Sequence, residues 1–481
     1  MMKQWMKSAF LLPLCLCWSA VAQENAWEQF DYPPINSFEM PEMELFELDN
    51  GIRFYLVEDD ELPLVRLNVM VRTGGVLVPD DKVGLNRVAG TVMRSGGSEQ
   101  YPAEELNRML EDRAAVMETS IGFTSGRATM NVLSEDMEFL LPVFVDLLVN
   151  PRFPQERINL AITQEETAIS RRNDEQGDVA RREFQRVIYG EGSKYARRIE
   201  YATLANITRQ DIVDFHASSF VGANMMIGVV GDFETEAMKA RLEEAFGDIP
   251  RGEQAELEFP PVDYEFEPGV HFVDKSDVNQ SYILMGHIGG MRDNPDYAAL
   301  QVMNRVLSGG FSSRLMQEVR SELGLAYSVF GSYGSGQYFP GTFTAGVMTA
   351  SESTAEATEA VIREIRRLRV EPVSDEELAQ TMDEFLNSLV FQYTSRGDVL
   401  AERMENDYAG MPPDTFERLV EEVRAVTVDD VHDVARQYLR PDALRILVVG
   451  NGEEVGDQLQ TFGDVEEIDI SIPPPPEEQE E

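Results

Sequence analysis

Side chains able to hold a metal ion are scarce in this chain, and their spacing excludes the usual helical zinc sites. The only histidines are His216, His271, His287 and His432, and no two of them lie three or four residues apart. A zinc site on a helix needs such a pair on one face, and hydrolysis needs a carboxylate to take a proton from the bound water. The sequence therefore predicts no metal site and no catalytic residue in this chain alone.

The N-terminal segment has the features of a secretory signal peptide. Lys3 and Lys7 precede a short apolar run that ends in a small-x-small cleavage site. The run is shorter than the ~20 residues that a membrane-spanning helix needs. We expect residues 1–22 to be removed on export, which places the mature chain in the periplasm. Export would also remove the only cysteines, Cys15 and Cys17; the alternative of a lipid anchor on either lacks the small residues that usually precede such a cysteine.

The formal net charge of −45 limits the partners that this chain can have. So much negative charge argues against binding to nucleic acid and to anionic membrane surfaces. Its simplest interpretation is a well-hydrated surface. A preference for basic peptides is a second interpretation that composition leaves open.

Two segments of the chain repeat each other without a gap, which predicts a duplicated architecture. Residues 207–212 and 225–231 parallel residues 426–431 and 444–450. In each copy a threonine stands three residues before an aspartate, a pattern that begins helices, and an apolar strand ending in glycine follows. These pairs are Thr208 with Asp211 and Thr427 with Asp430.

Each half begins with residues that alternate as half-buried strands do, and helical patterns fill its middle. The acidic, proline-bearing residues 252–269 show no helical periodicity and are predicted to be the linker. The predicted divisions are an N-terminal extension, two domains and an acidic, proline-rich tail that ends in a disordered segment. Their bounds are 23–44, 45–251, 270–455 and 456–481.

Residues 84–97, GLNRVAGTVMRSGG, resemble the inverted zinc motif H-x-x-E-H of the insulinase-like M16 peptidases, which typically follows Gly-Leu. In this register the two histidines of the motif fall on Arg87 and Thr91, and the glutamate falls on Gly90. Arginine repels a dication and glycine has no side chain, so none of the three can do the original work.

The family's third zinc ligand is a glutamate on a later helix, and the adjacent positions here are residues 167–170. Glu165 and Glu166 lie slightly upstream. A carboxylate pair on a helix of so acidic a chain is interpreted as a solvated face.

The second half is similar to the C-terminal domain of the same family over residues 307–329. The resemblance implies an α+β fold of two homologous domains, each with a largely antiparallel sheet packed with helices. In active members an arginine and a tyrosine seven residues apart reach the substrate, and the matching residues are Arg320 and Tyr327. A guanidinium and a phenol can hold a peptide carbonyl and stabilise charge on it.

Structural alternatives exist for these second-half residues. Arg320 could pair with Glu318 or Glu322 on a helix surface, and Tyr327 could be a half-buried strand aromatic. Gly309 and Gly310 match the place of a substrate-handling glycine-rich loop in the zinc-less subunit of the mitochondrial processing peptidase, but they equally suit a tight turn. Arg314 is interpreted as an anchor for the following helix.

The resemblance implies a zinc-less subunit of a two-chain M16-type peptidase. A partner chain carrying H-x-x-E-H would supply the zinc, and peptides would be the substrates. The alternative is a non-catalytic peptide-binding or scaffold protein with the same fold. A third interpretation, an independent zinc enzyme with an unrecognised site, would require zinc in the purified chain.

Overall fold

A computed structural model describes residues 42–389, 391 and 393–476. The predicted signal peptide, and all but the end of the predicted extension 23–44, lie outside these residues. No helix in the described ranges is long and apolar enough to cross a membrane.

The first half contributes one sheet and the helices that pack on it. Its strands are β1 (Glu44–Glu47), β2 (Arg53–Glu58), β3 (Leu64–Val71), β4 (Val116–Ile121), β5 (Gly126–Leu133) and β6 (Met225–Gly231). Its helices are α1 (Leu85–Gly96), α2 (Ala103–Glu111), α3 (Met137–Val149), α4 (Gln155–Ser170), α5 (Gln176–Tyr189), α6 (Tyr201–Ala205), α7 (Arg209–Ser219) and α8 (Thr235–Phe246).

The second half repeats the plan after an irregular segment. Its strands are β7 (Gly269–Asp274), β8 (Gln280–Ile288), β9 (Gly290–Met291), β10 (Ala326–Tyr333), β11 (Ser335–Gly336), β12 (Thr342–Ala350), β13 (Arg445–Gly450) and β14 (Val465–Glu467). Its helices are α9 (Tyr297–Ser308), α10 (Thr354–Val370), α11 (Asp375–Leu389), α12 (Arg396–Tyr408), α13 (Thr415–Ala425), α14 (Val428–Tyr438) and α15 (Gly452–Val455). A π-helix, Met316–Glu322, precedes β10.

The two main sheets have the same strand order, which confirms the α+β fold and its duplication. The first runs β1-β2-β6-β3-β5-β4, and the second runs β14-β7-β13-β8-β12-β10. Both are mostly antiparallel; β2 pairs in parallel with β6, and β7 pairs in parallel with β13 and β14. The edge strands β4 and β10 therefore occupy equivalent places in the two halves.

The helix starts predicted from the repeat are present in both halves. Thr208 and Asp211 form a capping box at the start of α7, and Thr427 and Asp430 form one at the start of α14. Each threonine hydroxyl accepts from the aspartate N–H, while the aspartate carboxylate accepts from the threonine N–H. A helix and a buried strand follow in each copy, as the repeat predicts.

The halves exchange one helix each. Helix α5 of the first half packs on β8 and β13, where Phe184 and Ile188 meet Leu284 and Leu447 in one apolar cluster. Helix α12 of the second half packs on the first sheet, where Leu400, Met404 and Tyr408 meet Tyr55 and Val230. Each sheet is thus covered on one face by its own helices and on the other by a helix of the opposite half.

The folded chain continues past residue 455, where the predicted second domain was to end. Residues 456–461 form a 3-10 helix, and β14 adds to the outer edge of the second sheet beside β7. Ile468 and Ile470 pack against the α5 cluster, and Ile472 packs against the first core. The predicted tail begins too early because alternate isoleucines in this acidic segment find apolar surface to cover.

Candidate functional site

Helix α1 carries the altered zinc motif, and its Arg87 contacts a carboxylate from α4. Arg87 Nη2 lies 3.0 Å from Glu165 Oε1, with the arginine side chain 58% exposed and the glutamate side chain 14% exposed. The interpretation of Glu165 as part of a solvated face is wrong, because its side chain is largely buried. It instead faces the former motif, so an ion pair occupies the place where the resemblance implies a metal.

Gly90, the position of the motif's glutamate, lies against the backbone of β4. A Cβ atom at this position would come within 2.5 Å of the Ile121 nitrogen and 2.9 Å of the Ser120 carbonyl carbon. Real Cβ atoms do not approach backbone so closely, and the threonine hydroxyl of Thr119 fixes the contact by donating to the Gly90 carbonyl at 2.6 Å. A side chain at residue 90 would have to push α1 away from the sheet.

Side chains of α1 also occupy the free edge of β4. Asn86 Nδ2 donates to the carbonyl oxygen of Ile121 at 2.9 Å, and Arg94 Nε donates to that of Met117 at 2.6 Å. The N–H of Gly122 donates to Ser125 O, so these two residues form a hydrogen-bonded pair of the β4–β5 ladder. Such pairs alternate along an antiparallel ladder with pairs whose backbone groups point outward. Ile121 and Met117 belong to the outward-pointing pairs, so their carbonyls point away from β5. An incoming strand would have to displace these donors to pair with β4.

The residues at the former motif do not fit a zinc ion. The two ligand positions of the motif hold Arg87 and the exposed Thr91, and the position of the base holds the packed Gly90. The nearby carboxylate of Glu165 is paired with Arg87. No group of three or more His, Cys, Asp or Glu side chains with metal-site geometry occurs in the described ranges.

The four histidines serve the packing of the fold. His216 lies between the rings of Phe153 and Phe220, and its Nε2 donates to Leu148 O at 2.8 Å. His287 donates from Nδ1 to Ile288 O and accepts at Nε2 from the N–H of Arg440. Burial lowers the pKa of both His216 and His287 to about 4.

The two remaining histidines are also held by neighbours. His432 contacts Arg369 O at 2.9 Å, and His271 Nδ1 lies 3.2 Å from a carboxylate oxygen of Glu466 on β14. Burial lowers the pKa of His271 in spite of that carboxylate.

Arg320 lies in the π-helix of the second half, sandwiched between two aromatic rings. Its guanidinium carbon is 4.8 Å from the ring centroid of Tyr327 and 5.3 Å from that of Phe311. These distances are within cation–π range. The predicted ion-pair alternative is wrong, because Glu318 pairs with Arg363, and Arg320 has no ion pair in the described part of the chain.

Tyr327 projects from the edge strand β10 at a β-bulge. The register between β10 and β12 shifts between Ala326 and Ser328, which leaves Tyr327 without a partner in the ladder. Its side chain is 79% exposed, and that of Phe311 is 73% exposed. The alternative of a half-buried strand aromatic is therefore wrong. A π-helix carries the half-buried Arg320 and a bulge carries the exposed Tyr327; both irregularities are frequent beside functional sites.

The loop with Gly309 and Gly310 ends α9 as a tight turn. The N–H and hydroxyl of Ser313 donate to Gly310 O at 3.1 and 2.5 Å. The turn carries Phe311, the ring that stacks on Arg320. Sequence reasoning missed Phe311 because a lone exposed phenylalanine has no motif; its place beside the glycines was the only signal.

Arg314 has the anchoring contact predicted for it. Its guanidinium holds both carboxylate oxygens of Glu377 on α11, at 2.8 and 2.9 Å. Its role is to fix the π-helix to its neighbour.

The structure thus brings the candidate residues together in two groups. Arg87 meets Glu165 beside a cavity of about 460 Å³ at the end of β4, and Arg320 meets Tyr327 and Phe311 on an exposed surface. Neither Arg320 nor Tyr327 lines that cavity.

Known M16-type proteins are similar to this chain over most of its length. Residues 206–385 match the family model described as the peptidase M16 inactive domain. The chain is 21% identical over 403 residues to a Helicobacter pylori protein named non-peptidase homolog YmxG, covering 82% of this chain and 90% of that protein. It is 23% identical over 412 residues to the Bacillus subtilis uncharacterized zinc protease YmxG, covering 85% and 98%.

Solved structures share the fold. The M16 inactive domain protein from Pseudomonas fluorescens superposes with a TM-score of 0.77 at 21% identity, covering 85% of this chain and 98% of that one. The periplasmic protease PqqL from Escherichia coli superposes with a TM-score of 0.73 at 15% identity, and the match spans 88% of this chain but 49% of PqqL.

The fold and the site define a two-domain M16-type protein whose zinc-motif positions hold Arg87, Gly90 and Thr91. The family match, together with relatives that align over most of the chain, confirms the predicted resemblance. The chain resembles the M16 peptidases over most of its length, and the family model itself matches residues 206–385.

Proposed function

We propose that this chain is the metal-free subunit of a two-chain M16-type peptidase that cleaves peptides in the cell envelope. A partner with an intact H-x-x-E-H helix supplies the zinc and the general base. This chain supplies Arg320 and Tyr327, which hold the peptide carbonyl and stabilise the charge that develops on it.

The observation that carries the proposal is the exposed stack of Phe311, Arg320 and Tyr327. The two rings are 73% and 79% exposed and lie on the same arginine, so they form a joint aromatic surface that suits a partner. Tyrosine and arginine are also the residues on which interface energy concentrates. The stack preorders the guanidinium without neutralising it, because its neighbours are rings rather than carboxylates.

Two further observations support the division of labour and the location. The Arg87–Glu165 pair and the packed Gly90 do not fit a zinc ion, which supports a partner chain as the source of the metal. The predicted signal peptide, with a periplasmic protease among the structural neighbours, supports export.

The test is reconstitution with a candidate partner that carries H-x-x-E-H. Cleavage of a quenched fluorescent peptide should rise when the partner is mixed with this chain, and kcat should fall by about tenfold or more with Arg320→Ala or Tyr327→Phe. Arg366→Ala is the matched control, since Arg366 is an exposed arginine on α10 that pairs with Asp442, outside the stack. Absence of association, or equal activity for the Arg320 and Arg366 variants, would refute the proposal.

The second candidate function is a non-catalytic binding or scaffold role. Asn86 and Arg94 block strand addition at β4, the edge that ends beside the former zinc motif. A relative named as a non-peptidase homologue also favours this candidate. The scaffold role is favoured if the chain assembles with its partner and Arg320→Ala leaves the peptidase activity of the complex unchanged.

A further inference from the structure

The cavity beside Arg87 is lined by positive charge in an otherwise acidic protein. Among the described residues, six cationic side chains line it against the single carboxylate of Glu165. The six are Arg87, Arg172, Arg182, Lys194, Arg197 and Arg198. The whole chain has 41 lysines and arginines and 86 aspartates and glutamates. The cavity therefore reverses the charge balance of the chain.

Carboxylates behind the lining neutralise part of this charge. Glu183, which is fully buried, accepts from Arg182, Arg186 and Arg198. Burial, followed by repulsion from Arg186, lowers the pKa of Arg198. The crowding of arginines around one carboxylate therefore has an electrostatic cost within the folded chain.

Glu200 and Asp80 hold two more of the lining arginines. Glu200 contacts Arg172 and Arg198, and Asp80 contacts Arg197. Lys194 has no carboxylate partner in the described ranges; its ammonium donates to the carbonyl of Val76 at 3.1 Å.

Several donors of the lining arginines have no acceptor among the described residues. The Arg172 side chain is 10% exposed; its Nη1 contacts Glu200, while its Nε and Nη2 have no hydrogen-bond partner in the described part of the chain. Nε of Arg197 is also buried and has no hydrogen-bond partner among the described residues. A buried donor without an acceptor is unfavourable, so these guanidinium groups keep hydrogen-bonding capacity that an oxyanion would use once the side chains turn toward the cavity.

The rest of the wall is apolar. Val78, Phe123, Ile169 and Ile199 line the same space of about 460 Å³. A small inorganic anion would leave these side chains without contacts. The lining suits a carboxylate on an apolar body, as at an acidic or C-terminal residue of a peptide.

We propose that this cavity is a carboxylate-binding pocket that captures acidic or C-terminal residues of peptides. Lys194, Arg172 and Arg197 bind the carboxylate, and Phe123 and Ile199 cover the apolar part of the ligand. The pocket lies at the end of β4 beside the Arg87–Glu165 pair, so it would hold one end of a peptide near the former zinc motif. This inference deepens the proposed function, but its test uses this chain alone.

The experiment is fluorescence anisotropy on the purified full chain with a labelled tetrapeptide, Ala-Phe-Glu-Glu. Matched peptides replace both glutamates by glutamine, amidate the C-terminus, or do both, which separates side-chain from terminal carboxylates as the source. The peptide without any carboxylate should lose binding, and added salt should weaken the binding of the acidic peptide.

Lys194→Gln is the principal variant, because Lys194 makes no ion pair with any residue that the structure describes and its loss leaves the charge network intact. It should weaken the acidic peptide by about tenfold, as expected for one charged hydrogen bond. Arg172→Gln should weaken it further. Arg181→Gln is the control of equal charge change, since Arg181 is 63% exposed on α5 and does not line the cavity.

Three results would overturn the proposal. They are equal affinity of the Lys194 and Arg181 variants, equal binding of the peptide that lacks carboxylates, and displacement of the acidic peptide by inorganic phosphate at the concentration at which unlabelled peptide displaces it. If the chain binds the acidic peptide but does not activate a zinc-bearing partner, the proposed function is refuted and the carboxylate-binding pocket stands. If the chain activates the partner but does not bind the peptide, the pocket is refuted and the proposed function stands.

Discussion

Arg87 on α1 and Glu165 on α4 form an ion pair, with Nη2 and Oε1 3.0 Å apart, where the M16 resemblance implies a zinc ion. The pair joins α1 and α4, the two helices on which the resemblance places the zinc ligands. It preserves a link between them while excluding a dication, since the carboxylate is occupied and its neighbour is positive.

The ion pair itself should add little stability, because solvent screens the exposed arginine. A double-mutant cycle with Arg87→Gln and Glu165→Gln, measured by urea unfolding, should give a coupling energy below about 1 kcal/mol. The coupling should fall further in high salt. A coupling of several kcal/mol that resists salt would contradict this description.

Gly90→Ala should destabilise the chain by about 1–3 kcal/mol, because the new Cβ meets the β4 backbone. The sign of the change in unfolding free energy is informative, because replacing glycine by alanine inside a helix normally stabilises it by about 1 kcal/mol. Urea unfolding measures the change. Gly192→Ala is the control, as no atom of the described residues lies within 4 Å of a Cβ there, and it should leave the free energy of unfolding unchanged. A stabilised Gly90 variant would show that α1 lies farther from β4.

Restoring the two histidines alone should restore metal binding without hydrolysis. Arg87→His with Thr91→His places two imidazoles one turn apart on α1 and frees Glu165 as a third ligand. Isothermal titration should then detect one zinc ion, and the single Arg87→His variant should bind it much more weakly. Peptide cleavage should stay absent because Gly90 supplies no base. Failure of the double variant to bind zinc would mean that the helices no longer present these positions to one ion.

The sequence predicted the duplicated fold and the residues of the second site for different reasons. Threonine three residues before aspartate is a local device, so the starts of α7 and α14 were readable from Thr208 and Thr427. Arg320 and Tyr327 were readable through the family motif. The stacking of Phe311 on Arg320 depends on how a turn closes, and the partner of Glu165 depends on how α1 meets α4, so neither contact could be derived from spacing.

The stability of the chain should fall as pH falls from about 6.5 to about 4. His216 and His287 have pKa values near 4 in the folded state, below the ordinary 6.5, so the unfolded chain binds more protons in this window. Each contributes up to about 3 kcal/mol to the loss. Urea midpoints across the window measure it. His287→Gln keeps a hydrogen-bond donor and an acceptor but does not titrate, so the unfolding free energy of this variant should depend less on pH. An unchanged pH dependence would mean that other groups cause the loss of stability.

Replacing Tyr327 by alanine should leave the free energy of unfolding within about 0.5 kcal/mol of wild type, because the ring is 79% exposed at a bulge. Thermal or urea unfolding checks this directly. Tyr333 on the same strand is 4% exposed, so Tyr333→Ala should cost several-fold more and serves as the contrast. Equal losses for the two tyrosines would mean that Tyr327 is a packing residue after all.

The exchange of α5 and α12 has a consequence for how this protein is made. While only the first half has emerged for folding, the face of its sheet around Tyr55 and Val230 remains uncovered, because Leu400 and Met404 have yet to emerge. The first half keeps this apolar surface open to chaperones or to aggregation until most of the chain is present. Gene fragments cut at the linker should therefore yield two insoluble pieces rather than two folded domains.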